Sequence, residues 1–193
     1  MALDASYWEQ RYCAQDTGWD LGCISTPLKT YVDGLTDFSK KILIPGAGNG
    51  HEAIYLHHKG FRHVYVLDWS SSALSHVQQA CPDFPEDHLI CSDFFLHQQQ
   101  YDLILEQTFF CALTPDLRPK YAAHMASLLK PKGRLVGLLF DAPLNNDVPP
   151  FGGTKQEYIA YFRPYFALET FEPAYNSIAP RSGRELFINL IKP

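Results

Sequence analysis

Three glycines and one aspartate stand where a nucleotide could be bound. Gly46, Gly48 and Gly50 occupy alternate positions directly after a short apolar run. Glycine adopts positive φ and has no Cβ, so a flat polar ligand can lie directly on such a turn. Asp68 ends the next apolar run, about twenty residues after the first glycine, where its carboxylate can accept hydrogen bonds from both ribose hydroxyls. The spacing therefore predicts a nucleoside site.

The same residues allow two other interpretations. The glycines could form only a tight turn, with Asp68 capping the next helix. Gly48, Gly50 and Ala53 also satisfy the dinucleotide pattern Gly-x-Gly-x-x-Gly/Ala, which leaves a nicotinamide or flavin enzyme open on this loop alone. The acid after the second strand weighs against a bare turn. Chain length weighs against a dinucleotide enzyme, which normally adds a substrate domain, because 193 residues leave little room for one.

Composition excludes several kinds of partner. The net charge is -5 and the lysines and arginines are scattered, so neither nucleic acid nor an anionic membrane is favoured. The five cysteines are odd in number and contain no Cys-x-x-Cys pair, which argues against a disulfide framework and against a zinc site. The amino terminus lacks a signal-peptide pattern, and no apolar run approaches the roughly eighteen residues of a membrane span. We therefore expect a cytoplasmic monomer or weak homodimer that acts on a small molecule and holds no metal.

Two neighbouring histidines fall at the end of a predicted helix. This helix covers 51–59, and Gly60 is placed to stop it. His57 and His58 are predicted to be solvated there, where a partly charged imidazole suits the helix dipole. A metal role would need converging partners, and the sequence shows none.

Aromatic residues mark the segment that precedes the first strand. Trp8 and Tyr12 fall on one face of a short helix that Asp4 or Ser6 could cap, and Trp19 follows in a loop. These rings can simply pack the extension against the domain. They can also form a lid over a cofactor, because an aromatic face attracts a sulfonium or ammonium cation by roughly 0.5 to 2 kcal/mol. The two roles are compatible.

Two further strand ends carry candidate ligand contacts. Asp93 and Phe94 follow the third strand, where they could bind an adenine amino group and stack on its ring, or form only a local turn. Glu106, Gln107 and Thr108 come at the end of the fourth strand. Open α/β sheets place their ligand-facing residues at this edge.

Periodicity predicts the elements that bring these residues together. Apolar runs typical of buried strands cover 42–44, 63–67, 89–91, 101–106 and 134–140, and helical patterns cover 51–59, 73–80, 114–129 and 154–162. Lys130 to Gly133 is predicted to end the third of these helices, and the proline-rich segment 141–153 to be an active-site loop. Segments 167–175 and 185–191 predict an antiparallel pair. This order predicts an α/β fold, a doubly wound seven-stranded mostly parallel sheet with an antiparallel last strand, in one domain over 1–193.

Five internal segments carry a wider pattern. They are Ile-Pro-Gly-Ala-Gly-Asn-Gly-His-Glu (44–52), Leu-Asp-Trp-Ser (67–70), Tyr-Asp-Leu-Ile-Leu-Glu (101–106), Phe-Phe-Cys-Ala-Leu (109–113) and Leu-Leu-Lys-Pro-Lys-Gly (128–133). With Tyr-Trp-Glu-x-Arg-Tyr (7–12) and Gly-Trp-Asp (18–20), they resemble class I S-adenosylmethionine-dependent methyltransferases. More narrowly they resemble the thiopurine S-methyltransferase family, which includes plant halide and thiol methyltransferases.

The resemblance implies a Rossmann-like fold, S-adenosylmethionine as cofactor, and residues 1–38 as an extension that covers it. The positions that match the family's cofactor contacts are Trp8, Tyr12, Trp19, Gly46, Ala47, Gly48, Asp68, Trp69, Ser92, Asp93, Phe94, Glu106 and Thr108. Of these, Glu106 and Thr108 match the strand end that faces the methyl group. Gln107 stands where thiopurine enzymes carry an arginine, so the chain resembles the small-thiol and halide branch more closely.

The implied reaction is in-line transfer of the sulfonium methyl to a soft nucleophile, most simply a thiol. A thiol with a pKa near ~8.5 is already partly ionised at neutral pH, so a dedicated strong base is not required, and we name no catalytic residue. Arg118 and Arg184 could hold an anionic substrate or could be surface residues. The full set of substrate-side candidates is Gln107, Phe109, Phe110, Arg118, Phe151, Tyr158 and Arg184. A nicotinamide-dependent reductase and a non-catalytic S-adenosylmethionine-binding protein remain the alternatives.

Overall fold

The computed structural model describes residues 3–193 and builds them around a seven-stranded sheet. Met1 and Ala2, at the start of the predicted extension, lie outside the described residues. The strands are β1 (Ile42–Pro45), β2 (Val64–Asp68), β3 (Leu89–Cys91), β4 (Tyr101–Gln107), β5 (Leu129–Phe140), β6 (Ala167–Pro173) and β7 (Glu185–Ile191). The helices are α1 (Ala5–Cys13), α2 (Thr26–Asp33), α3 (His51–Lys59), α4 (Ser71–Ala80), α5 (Arg118–Ser127) and α6 (Lys155–Phe162).

The strand order is β3-β2-β1-β4-β5-β7-β6. The first five strands pair in parallel, whereas β7 runs antiparallel to both β5 and β6. This is the doubly wound arrangement with a reversed last strand, so the predicted fold class is confirmed.

Two hydrophobic cores cover the faces of the sheet. Alternate residues of β1 point to opposite faces: Leu43 packs with the core that includes α5 and α6, and Ile42 and Ile44 pack with the core that includes α2, α3 and α4. Because helices cover both faces, strands β1 and β4 carry nearly continuous apolar runs instead of alternating ones.

Local capping signals set most helix boundaries as predicted. The side chains of Asp4 and Ser70 each accept a hydrogen bond of 3.0 Å from the amide three residues on, at the starts of α1 and α4. Gly60 ends α3 in the left-handed conformation, with φ of 101°. Thr154 caps α6 by accepting from the Glu157 amide at 3.3 Å. The carboxylate of Glu157 accepts from the Tyr161 hydroxyl and does not complete a reciprocal capping box.

Strand pairing overrides one predicted helix end. Helix α5 stops at Ser127, and Lys130 to Gly133 belong to β5 instead of closing a longer helix. The amide of Lys132 donates to the Lys192 carbonyl at 3.0 Å, and the Lys192 amide donates to the Gly133 carbonyl at 2.9 Å. These long-range hydrogen bonds to the end of the chain fix the segment in the sheet.

The structure adds one helix that the sequence pattern did not predict. Helix α2 lies within the amino-terminal extension, and its Leu28 and Val32 are fully buried against the α3 face of the sheet.

The prediction that His57 is solvated is wrong, because its ring is buried at the end of α3, whereas His58 is exposed. Across residues 3–193, no helix is both long and apolar enough to cross a bilayer.

Candidate active site

A cavity of about 530 Å³ lies at the carboxyl ends of the central strands. Strand β1 lies between β2 and β4. The chain adds β2 and β3 on one side of β1 and then adds β4 and the later strands on the other side. Open α/β sheets bind ligands at this switch point. A smaller pocket of about 40 Å³ adjoins the glycine turn. Both volumes lie where the sequence analysis predicted a site, and the larger is in the range of about 300–1,000 Å³ typical of small-molecule sites.

Most of the predicted site residues meet at these two cavities. The larger cavity is lined by Trp8, Tyr12, Trp19, Gly46, Asp68, Trp69, Ser92, Asp93, Phe94, Thr108, Phe109 and Arg184. Trp19, Gly46 and Thr108 line both cavities, and the smaller pocket adds Ala47, Gly48 and Gln107. Five predicted residues reach neither cavity because they are buried behind its wall: Glu106, Phe110, Arg118, Phe151 and Tyr158.

The glycine turn has the predicted backbone conformation, but aromatic side chains of the protein itself lie against its glycines. Gly46, Gly48 and Gly50 have φ of 58°, 54° and 70°, as expected for a turn that needs glycine. A Cβ at Gly46 would meet the ring of Phe109 at 2.4 Å, and one at Gly48 would meet the hydroxyl of Tyr12 at 3.0 Å. The missing side chains therefore make room for the chain's own aromatic rings. Those rings in turn help to line the larger cavity.

We expect Gly46→Ala to destabilise the fold by about 2 kcal/mol or more, because alanine at positive φ is strained and its methyl group would overlap the Phe109 ring. The free energy of unfolding, measured in urea, checks this. Gly34→Ala is the matched control, since a Cβ there meets its nearest atom at an ordinary 3.4 Å and φ is negative. Equal stability of the two variants would contradict the role of Gly46.

Asp68 is held by the backbone around it. Its carboxylate accepts from the amides of Gly48 at 3.3 Å and Ser70 at 2.9 Å, and its side chain lines the larger cavity. Burial raises the pKa of Asp68 to about 6. A carboxylate has more lone pairs than these two amides use, so it can accept further hydrogen bonds from a ligand.

The amino-terminal extension closes over this end of the cavity. The rings of Trp8 and Trp19 meet edge to face at 5.6 Å between centroids, and those of Tyr12 and Trp19 at 5.8 Å. The guanidinium of Arg11 lies 4.9 Å from the centroid of the Trp19 ring. The aromatic residues therefore pack the extension in place and also line the cavity.

Three polar residues that the sequence analysis did not select tie the extension down. Glu9 accepts from the hydroxyl of Ser70 at 2.7 Å and from that of Ser72, and these hydrogen bonds lower the pKa of Glu9 to about 2. Arg181 donates to the carbonyl of Trp19 at 2.7 Å, and Asp20 bonds Asn49 and His51 of the glycine loop. Glu9 and Asp20 lie within the sequence motifs 7–12 and 18–20, and these motifs were the sequence signal that could have identified them. Arg181 is 162 residues from Trp19 along the chain, and no sequence motif pointed to it.

Glu106 positions a turn and lines neither cavity, which differs from the ligand-facing position predicted for it. Its side chain is fully buried, and one carboxylate oxygen accepts from the amides of Phe109 at 2.8 Å and Phe110 at 2.9 Å. Tyr121 donates its hydroxyl to the other oxygen. Burial raises the pKa of Glu106 to about 7. The acid thus shapes the segment that places Phe109, but not Phe110, in the cavity wall.

Arg118 is also buried, so it neither binds substrate from this position nor lies on the surface. It donates to the carbonyls of Phe151 at 3.1 Å and Gly152 at 3.0 Å. Its guanidinium lies 4.8 Å from the centroid of the Phe110 ring and 5.4 Å from that of Tyr158. This cluster anchors the far end of loop 141–153, whose Leu144, Pro149 and Pro150 line the cavity instead of Phe151.

The smaller pocket is suited to a hydrogen-bond donor with positive charge. Asp20 and Glu52 both line it, and their carboxyl oxygens can accept hydrogen bonds. Gln107 Oε1 is buried there and has no hydrogen-bond partner among the described residues. A buried acceptor without a donor is costly, by about 1–3 kcal/mol, so a ligand that supplies the donor would be favoured.

The opposite end of the larger cavity carries positive charge and no obvious base. Arg181 and Arg184 line it from the loop before β7, and Arg181 is paired with the buried Glu185 at 3.4 Å. Among residues 3–193, no histidine, lysine or glutamate lines this cavity. The thiol of Cys111 does, but burial raises its pKa to about 12 and its Sγ donates to the Thr108 carbonyl, so it is not a nucleophile.

Comparison with known proteins gives consistent relatives. The family model described as Thiopurine S-methyltransferase (TPMT) matches residues 3–186. Probable thiol methyltransferase 2 of Arabidopsis thaliana is 31% identical over 185 residues, covering 92% of this chain and 81% of that protein. Thiocyanate methyltransferase 1 of Brassica oleracea is 33% identical over 187 residues, with the same coverage of 92% and 81%.

Solved structures agree on the fold. The 1,6-didemethyltoxoflavin-N1-methyltransferase of Burkholderia thailandensis, solved with 1,6-didemethyltoxoflavin and S-adenosylhomocysteine bound, superposes with a TM-score of 0.73. The alignment covers 98% of this chain and 87% of that one, at 17% sequence identity. At that identity the comparison supports the architecture alone.

Proposed function

The chain belongs to the thiopurine S-methyltransferase family, and from that premise we propose that it methylates a small, soft, anionic nucleophile, most simply a thiolate. It is an S-adenosylmethionine-dependent methyltransferase, which excludes the nicotinamide enzyme and the non-catalytic binding protein. The relatives named above are thiol and thiocyanate methyltransferases, whose acceptors are soft sulfur nucleophiles.

The residues at the two cavities fit the chemical groups of S-adenosylmethionine. We assign Asp68 to the ribose hydroxyls, Asp93 and Phe94 to the adenine side, and the orphan Gln107 Oε1 with Glu52 to the ammonium of the methionine moiety. Trp8, Tyr12 and Trp19, in the covering extension, would shield the sulfonium and lower its energy through their ring faces. When bound, the cofactor supplies a methyl group on a positively charged sulfur.

The observation that carries the acceptor assignment is the charge of the larger cavity. Its nucleoside end is acidic, at Asp68 and Asp93. At the other end Arg181 is paired with the buried Glu185 at 3.4 Å, and the exposed Arg184 supplies a positive charge. Positive charge lowers the pKa of a bound thiol and favours anions that need no deprotonation. The protein then contributes mainly by aligning nucleophile and methyl group where water is excluded, which can supply about 7–11 kcal/mol of the barrier. A general base is therefore unnecessary.

A transfer assay with radiolabelled S-adenosylmethionine tests the acceptor class. We expect label on small thiols, thiocyanate or iodide, and none on neutral amines or alcohols of similar size. Isothermal titration with S-adenosylmethionine, S-adenosylhomocysteine and NADH is the companion experiment, in which only the first two should bind. Preferred labelling of an amine or alcohol would overturn the soft-anion assignment.

We expect Arg184→Gln to raise KM for an anionic acceptor about tenfold, or about 1.4 kcal/mol, with little change in cofactor affinity. Arg184 lines the cavity, and among residues 3–193 no carboxylate forms an ion pair with its side chain, so its charge can act on a ligand. Arg62→Gln, an exposed arginine before β2, is the matched control. An unchanged KM in Arg184→Gln would remove this residue from the acceptor site.

We further propose that residues 1–38 act as a cofactor-covering part of a single catalytic domain, since α1 and the Trp19 loop reach the cavity directly. Deletion of the first helix should then weaken cofactor binding, since Trp8 and Tyr12 would be lost.

A cytoplasmic setting is proposed because all five cysteines are free thiols, as expected in a reducing compartment.

A further inference from the structure

A group of metal-ligating side chains lies at the ends of α3 and α4 that point away from the glycine turn. His57 is in the last turn of α3, Cys81 directly follows α4, and Asp83 lies in the turn after it. Their nearest ligand atoms all fall within 4.8 Å of one another. The group shares no residue with either cavity of the active site.

The distances match the edges of a tetrahedral metal site. His57 Nε2 lies 3.1 Å from Asp83 Oδ2, and Cys81 Sγ lies 3.3 Å from Asp83 Oδ1. The Nε2 atom of a second histidine, His58, lies 3.7 Å from the same Sγ. Zinc–ligand bonds of about 2.0–2.3 Å in a tetrahedron place neighbouring ligand atoms about 3.3–3.8 Å apart. His57, Cys81 and Asp83 already meet within 4.8 Å, whereas His58 contacts only Cys81 and would have to move toward the other two ligands to complete the tetrahedron.

The surroundings hold the candidate ligands in place. The side chain of Gln78 donates to the carbonyls of Pro82 at 3.0 Å and Phe84 at 3.4 Å, which fixes the turn that carries Asp83. The rings of Phe84 and His57 lie 5.2 Å apart between centroids. Outer residues of this kind orient ligands in known metal sites.

We propose that His57, Cys81 and Asp83, with His58 as the fourth ligand, form a Zn²⁺ site that clamps the end of α3 to the turn after α4. One thiolate, two imidazoles and one carboxylate are a donor set that suits Zn²⁺. The ion would replace the proton of the Cys81 thiol, which passes to solvent, and the two histidines would bind as neutral rings. The side chain of His57 is only 6% exposed and that of Asp83 is 76% exposed, so the ion would enter from the Asp83 side.

Cobalt titration of the tag-free, chelator-treated full-length protein tests the site. We expect one equivalent of Co²⁺ to give the intense visible bands of tetrahedral cobalt and a thiolate charge-transfer band in the near ultraviolet. Cys81→Ser should abolish the charge-transfer band, whereas Cys13→Ser, an exposed cysteine on α1, should leave it unchanged. A six-coordinate spectrum without charge transfer, or a band that survives Cys81→Ser, would overturn the proposal.

A second variant separates ligation from folding. Asp83→Asn changes an exposed side chain and should not disturb the core, yet it should weaken Zn²⁺ binding more than about tenfold. Zn²⁺ should raise the Tm of the wild-type protein in proportion to the logarithm of its concentration, and Asp83→Asn should shift that response to higher Zn²⁺. An equal Tm response in both proteins would count against the site. This readout needs no methyl transfer, so it is independent of the acceptor assignment.

Discussion

Asp68→Asn is expected to weaken S-adenosylmethionine binding at least about a hundredfold, or about 2.7 kcal/mol. The carboxylate is the charged acceptor assigned to the ribose hydroxyls, and a hydrogen bond to a charged group contributes about 1.5–3 kcal/mol. The amides of Gly48 and Ser70 donate to different oxygens of Asp68, so asparagine keeps an acceptor for only one of them and presents an amide nitrogen in place of the second acceptor oxygen. Isothermal titration measures the change directly.

Two comparisons make this result specific. Asp87→Asn, an exposed aspartate before β3, is the matched control and should bind the cofactor as the wild type does. Asp68→Asn leaves one of the two backbone amides without its acceptor, so the Tm of this variant is measured as well, to show that it is folded at the temperature of the titration. If both variants bound S-adenosylmethionine normally, the ribose assignment would be wrong.

The same acid predicts a pH dependence of binding. Its pKa is raised by burial from 3.8 to about 6, so the carboxylate needed by the ribose is lost as pH falls through that value. If only the ionised form binds, affinity at pH 5 should be about tenfold below its plateau at higher pH. For folding the sign is opposite: with a raised pKa, this group's favourable contribution is complete below 3.8 and is lost as pH rises through about 6. In Asp68→Asn, the pH dependence that this group gives to cofactor affinity and to folding stability should disappear.

Glu106→Leu is expected to lower the free energy of unfolding by about 2–5 kcal/mol. Leucine has a similar size, but it leaves the amides of Phe109 and Phe110 and the hydroxyl of Tyr121 without their acceptor. Each unpaired buried donor costs about 1–3 kcal/mol, partly offset because a desolvated acid is removed. Urea unfolding at pH 5.5, where the native acid is mostly protonated, gives the cleanest measurement.

Glu106→Gln separates hydrogen bonding from charge. Glutamine keeps an acceptor for the two amides, so it should destabilise less than leucine does. Because burial raises the pKa of Glu106 from 4.5 to about 7, its stabilising contribution is complete below 4.5 and is lost as pH rises through about 7. The stability gap between the wild type and Glu106→Gln should therefore narrow over that interval. A constant gap would contradict the raised pKa.

Local rules determined much of the nucleoside end from sequence. Gly46 and Gly48 had to adopt positive φ because a strand must turn sharply there, and Asp68 had to follow the next parallel strand at the same edge of the sheet. Turn conformation and strand spacing depend on a few neighbouring residues, so they are encoded locally. The same holds for the helix caps at Asp4 and Ser70.

The wall of the acceptor end was decided only by the tertiary structure. Phe109 lines the cavity and its neighbour Phe110 packs behind it, because the buried carboxylate of Glu106 fixes the turn between them. Arg118 carries the same charge as Arg184, yet it is buried against the backbone of loop 141–153. No local pattern distinguishes these cases, since each depends on which distant backbone groups need a partner.

Sequence by itself thus determined the fold class, the glycine turn and the acid beside it, because periodicity and backbone preference act over short distances. Only the packing of α3 against α4 could bring His57 within 3.1 Å of Asp83, 26 residues later in the chain. The hydrogen bond between Arg181 and Trp19, near opposite ends of the sequence, likewise forms only because distant parts of the chain pack together. Such contacts depend on how whole helices and loops pack on the sheet. Sequence patterns alone therefore do not predict them or the sites that they form.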